Sequence, residues 1–76
     1  MNSKRRNSIR KIKEGLSRLV NYLEELRDEE DEAYDNMPEQ FQDSERGEIM
    51  QTAIEALDNA ADWLQEAIDE LERIVH

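Results

Sequence analysis

Cysteine is absent from this chain, glycine occurs twice, proline and histidine once each, and aromatic residues fill only 5% of its 76 positions. Each shortage removes a way of building a small domain. Without cysteine there is no disulfide, and with His76 as the sole histidine a structural zinc site has almost no ligands to draw on. So few turn-forming residues cannot serve the many reversals of an all-β fold. A chain this short buries a modest fraction of its surface, so with disulfides and metal set aside, self-association is the expected supplement. No stretch approaches the ~20 apolar residues that span a bilayer, and no apolar run follows the basic start as in a signal peptide. This predicts a soluble, cytoplasmic protein.

Charge is what the chain has in abundance. Charged residues make up 39% of it and the net charge is -10. The distribution is uneven: Lys4, Arg5, Arg6, Arg10, Lys11 and Lys13 precede the first acid, whereas the remainder sets 20 acids against Arg18, Arg27, Arg46 and Arg73. So charged a composition also suits disorder, but its apolar residues are strictly periodic. Met50, Leu57, Leu64 and Leu71 fall on one heptad line, Ala53, Ala60, Ala67 and Ile74 on a second, and Ile54, Ala61, Ile68 and Val75 on a third. That pattern specifies a long helix with a broad apolar face.

Earlier in the chain Ile9, Ile12, Leu16, Leu19, Leu23 and Leu26 alternate spacings of three and four, continuing through Glu30, Ala33 and Met37. A first helix over about residues 4–35 follows, with a core-facing seam that weakens at Glu30. Pro38 cannot continue it and biases Met37 away from helical geometry. The turn is therefore placed at about 36–44, where Pro38 to Gln42 can form one short helical turn and Met37 and Phe41 fold back over the hairpin end. Ser44 is the expected N-cap of a second helix over about 45–75, with Glu45 and Glu48 complementing its positive end. Gly47 in that first turn and Gly15 in the first helix are unfavourable choices on propensity, at ~1 kcal/mol each relative to alanine; Gly15 either allows a close helix approach or is a tolerated weak point.

A short connection makes the helices antiparallel neighbours. Aligning their heptads about the turn pairs Ile9 with Leu71, Leu16 with Leu64 and Leu23 with Leu57. It sets the basic segment against Glu66, Asp69, Glu70 and Glu72. Ile49, Ala56 and Trp63, with Tyr22 on the first helix, widen the apolar arc beyond what one neighbour covers. The expected fold class is thus all-α, an antiparallel two-helix hairpin that dimerises into a four-helix bundle or docks on another protein.

Chemistry is sparse. Ser3, Ser8, Ser17 and Ser44 lack a histidine partner other than the terminal one, Glu-x-x-His metal motifs are missing, and a hairpin has no cleft for paired carboxylates. The run Asp28 to Asp35 lacks the central glycine of a calcium loop. No enzyme and no cofactor is expected. Three binding surfaces remain. Glu48, Glu55, Asp62 and Asp69 line the outer face of the second helix, and such a rod of carboxylates can imitate phosphate rows and enter a basic groove on another protein. Trp63, Ile49, Ala56 and Tyr22 form a candidate apolar interface, in which Trp63 is either core or an anchor for a partner. Lys4, Arg5, Arg6, Arg10, Lys11 and Lys13 form the alternative, a nucleic-acid contact in a nucleic-acid-associated dimer, against which stand the missing interleaved aromatics and the acidity of the rest; a purely structural assembly component is the other alternative.

The block Arg27-Asp28-Glu29-Glu30-Asp31-Glu32-Ala33-Tyr34-Asp35-Asn36-Met37-Pro38-Glu39, followed by Asp43-Ser44-Glu45-Arg46-Gly47-Glu48, resembles a signature of small acidic two-helix proteins found in bacteriophages, prophages and mobile elements of Gram-positive bacteria. Outside that block the likeness is heptad similarity alone. No biochemical activity is established for the group, so the resemblance implies a setting, the bacterial host cell, and a binding protein that redirects or inhibits a host factor. It transfers no site residues.

Overall fold

The computed structural model describes residues 1–75; His76, the one histidine weighed above as a metal ligand, lies outside the described residues. The chain forms α1 (Ser3–Asp35), α2 (Glu39–Gln42) and α3 (Glu45–Val75), and the two long helices pack against each other along an elongated body of 58 × 14 × 14 Å. The expected all-α hairpin and its helix bounds are therefore present, with α2 as a single ordered turn between them.

Local signals account for the boundaries. Asn2 caps α1 by accepting the Arg5 amide at 2.9 Å. At the other end Pro38 is the N-cap of α2, one residue outside the helix. The Gln42 side-chain amide then reaches back to donate to the Tyr34 and Met37 carbonyls at 3.0 and 3.2 Å, supplying partners where α1 runs out of its own. Ser44 precedes α3; its hydroxyl donates to the Phe41 carbonyl and sits 3.5 Å from the Gly47 amide. Met37 is half-buried, but Phe41 remains half-exposed, so only one of the two residues expected to cover the hairpin end does so.

Gly47 is explained by this elbow. A Cβ there would stand 2.0 Å from the Gln42 carbonyl oxygen and 2.8 Å from that of Phe41, because the end of α2 lies directly on the first turn of α3. Backbone cannot move aside as a side-chain tip can. Gly15 is the opposite case, with nothing within 4 Å of its would-be Cβ.

The register and one seam differ from the sequence-based expectation. Lys13 pairs with Glu72, Arg27 with Asp58, Gln51 donates to Tyr34 Oη, and Arg10 reaches the Val75 carbonyl; the numbers in each pair add to 85. Ile9 with Leu71 or Leu16 with Leu64 would require about 80, so α3 is displaced by a little over one helical turn. The inward line Ile9, Leu16, Leu23, Glu30 is as expected, but its companion is Lys13, Val20, Arg27, Tyr34, not Ile12, Leu19, Leu26, Ala33. The physical reason is that amphipathic side chains cover the seam with their stems while their polar tips reach acids and amides on α3. On α3 the matching lines are Met50, Leu57, Leu64, Leu71 and Ile54, Ala61, Ile68, Val75.

The core is thin. Val20, Ala61 and Ile68 are buried to 7%, 7% and 9% exposure, with Leu16, Leu23 and Leu64 packed around them, and no large side chain among the described residues is fully buried. Two substitutions should separate the glycines. Gly47→Ala is expected to lower stability by ~1–3 kcal/mol through overpacking, whereas Gly15→Ala raises it by ~1 kcal/mol through helix propensity, both read by urea unfolding of dilute protein.

Candidate interaction surfaces

A hairpin has two broad faces, and here they differ in kind. Beside the seam on one face run the cross-helix polar contacts. Arg27 is the most developed of these, bonding Asp58 and also Asp28, the latter at 3.0 Å through Nη2 and 3.1 Å through Nε. The hydrogen bond to Asp58, then that to Asp28, holds the Arg27 guanidinium above its ordinary range. A raised basic group contributes stability below its unfolded value and loses it only as pH climbs through the folded one. For arginine that window lies beyond working pH, so its charge is permanent.

The opposite face carries the apolar residues that the seam leaves out. Ile12, Leu19, Tyr22 and Leu26 on α1 are each half or more exposed, as are Ile49 and Trp63 on α3 at 63% and 69%, with Ile74 somewhat less so. Ala56 and Ala67 are exposed between them, and Ala53 and Ala60 partly so. In antiparallel helices, equivalent flanks of the two seams lie on the same side of the pair. The lines Ile12/Leu19/Leu26 and Ala53/Ala60/Ala67/Ile74 are such equivalents, as are those of Tyr22 and of Ile49/Ala56/Trp63. They therefore merge into one apolar surface. All four candidate interface residues, Trp63, Ile49, Ala56 and Tyr22, lie on it. Sequence reasoning placed Ile12, Leu19 and Leu26 in the core; the signal that could have released them is the matching of Lys13 and Arg27 to Glu72 and Asp58.

Glu48, Glu55, Asp62 and Asp69 are all exposed along the outer side of α3, turned away from the apolar surface. Asp69 accepts the Gln65 amide at 3.1 Å, and Glu55 borders a shallow open groove with Asp31, Tyr34 and Asp35. Two of the neighbouring acids that would complete a phosphate-like array, Asp58 and Glu72, are instead occupied by Arg27 and Lys13.

The basic segment is dispersed around α1. Lys13 turns inward to Glu72, and Arg10 bonds Asn7 at 2.8 Å and the end of α3 at 3.4 Å, where the helix dipole is negative. Glu70 pairs with Arg73 of its own helix, so of the four acids expected opposite the segment, Glu72 alone ion-pairs with it among the described residues. Lys4, Arg5, Arg6 and Lys11 are exposed on several sides of the helix. Among the described residues no group of three or more acids or histidines is placed to hold a metal ion, and no described helix is long and apolar enough to cross a membrane.

Trp63 is thus an exposed side chain, and truncating it tests the assignment. In dilute protein Trp63→Ala should change stability by no more than ~0.5 kcal/mol, while Ile68→Ala in the seam costs ~2 kcal/mol or more, both followed by helical circular dichroism in urea.

Comparison of the chain with protein-family models, curated proteins and solved structures finds no match.

Proposed function

We propose that the protein is a non-enzymatic interaction module that self-associates through its apolar face into a four-helix bundle and uses its acidic outer surface to engage a basic groove on another protein. One observation carries the reading: the exposed apolar residues of both helices collect on a single face, while polar contacts between α1 and α3 border the other. Continuous apolar surface of this extent on a small soluble chain marks an association site. On α3 the residues of this face run from Ile49 to Ile74, roughly 40 Å of helix at ~1.5 Å per residue, about two thirds of the 58 Å body.

Association of that face leaves Glu48, Glu55, Asp62 and Asp69 outside, which supports their use toward a second partner. Their spacing along α3 is ~10.5 Å per heptad, coarser than the ~3.4 Å between charges on a DNA strand, so the array suits fast electrostatic capture of a basic surface better than atom-by-atom imitation. In the phage-like setting of the resemblance, that partner is a nucleic-acid-handling or defence protein of the bacterial cytoplasm, and binding blocks it.

Light scattering at two concentrations tests the first half. The expected mass is about 18 kDa, twice the 9.0 kDa of one chain, falling to the single-chain value in Trp63→Asp; a wild-type mass that stays at one chain throughout would remove self-association. For the second half, binding to a basic nucleic-acid-binding protein should weaken with salt and disappear when Glu48, Glu55, Asp62 and Asp69 are all replaced by their amides. Direct DNA binding that vanishes on neutralising Lys4, Arg5, Arg6, Arg10, Lys11 and Lys13 would put a nucleic-acid-associated dimer in its place.

A further inference from the structure

The border of the apolar face along α1 is divided by charge. Lys4, Lys11 and Arg18 occupy one heptad line, and Glu25 and Glu32 continue it. All five are exposed, and none takes part in an ion pair among the described residues. Seven residues apart, they are too distant to satisfy one another along the helix. An antiparallel copy of the same line, however, is its complement.

Resting on the dimer reading above, we propose that the occupant of the apolar face is a second copy of this chain, docked so that α1 lies antiparallel on α1 of the copy about a two-fold axis close to Asn21. In that register Arg18 faces Glu25 of the second copy and Lys11 faces its Glu32. Symmetry makes each pair twice, as an isologous contact requires. The apolar layers agree with the charges: Leu19 meets Tyr22 of the copy, and Leu26 settles over its Gly15, where a single chain leaves open space. A glycine that is unfavourable for helix propensity thereby acquires a packing role.

The hairpin register carries the same axis to α3, crossing near Leu64. There Trp63 lies over Ala67 of the second copy, a large residue on a small one. This geometry sets Glu66 of each copy between Asn59 and Glu66 of the other, so that the like charges there stand apart along the helix. The competing arrangement turns the copy about an axis parallel to the helices, so that α1 lies on α3. It sets Arg18 beside Glu66 but Lys11 beside Arg73, and leaves Glu25 and Glu32 opposite Asn59 and Thr52. One attraction is then offset by one repulsion, where the antiparallel α1 pairing collects only attractions along that line. Charge complementarity thus selects the orientation, and apolar burial supplies the affinity.

The experiment is dimer dissociation of the full chain by sedimentation, with helicity checked by circular dichroism. Arg18→Glu should weaken dimerisation on the order of tenfold, since two symmetric attractions become repulsions. Adding Glu25→Arg to the same chain should restore it. Glu66→Gln should leave the dimer as tight or tighten it, whereas the α1-on-α3 arrangement would lose its Arg18 partner and weaken. Because the chain has no cysteine, mixed Arg18→Cys and Glu25→Cys chains can be joined by a short thiol-to-thiol cross-linker. Efficient joining is the expected result. A dimer that ignores the Arg18 reversal, or that joins Arg18→Cys chains to Glu66→Cys chains instead, overturns this orientation while leaving self-association standing. A wild-type chain that sediments as a monomer overturns both.

Discussion

The rotation of α1 about its own axis is the constraint on which the rest of this structure depends. By turning Lys13, Val20, Arg27 and Tyr34 toward α3, the helix gives its inner seam polar tips that find Glu72, Asp58 and Gln51. Those contacts set the register of α3, and the same rotation carries Ile12, Leu19 and Leu26 out of the seam. A single exposed ion pair contributes little to stability. Their larger effect is to discriminate among registers, since a displacement of one helical turn would separate Lys13 from Glu72 and Arg27 from Asp58 together.

That rotation is also what the sequence conceals. The helix bounds are legible because Pro38 interrupts a periodicity that heptads sustain on both sides, and the outward position of the α3 acids follows from the same period. The choice between two adjacent heptad lines on α1 is not legible by hydrophobicity, because Ile12, Leu19 and Leu26 outrank Lys13, Val20 and Arg27 on any such scale. Counting apolar residues finds the face that most favours burial, and in a hairpin with two apolar surfaces that is not the face its own second helix covers. Tyr22, Ile49, Ala56 and Trp63 were readable as surplus to one seam, but their union with three residues assigned to the core required the register. Gly47 was opaque for another reason: its necessity comes from the α2 backbone, whose position no local propensity encodes.

A core of Val20, Ala61 and Ile68 with half-buried leucines around it is small even for a domain of this size. Folding thus uses one of two neighbouring apolar surfaces of the same two helices and leaves the other at the surface of the chain. Charge is arranged to match. Acids dominate the outer side of α3, so crowding of chains on that side is opposed electrostatically, and the apolar face is the side where close approach is least opposed.

The elbow has a topological consequence. Helical hairpins can in principle straighten their turn, fuse two helices into one rod and exchange halves with a neighbour. Here Pro38 would remove a helical hydrogen bond and crowd the Tyr34 carbonyl in such a rod. Straightening would also forfeit the two bonds from the Gln42 amide and the contact of α2 with Gly47. Helix-exchanged forms are thereby disfavoured, and the hairpin remains a closed unit that presents its exposed face without its chain unfolding.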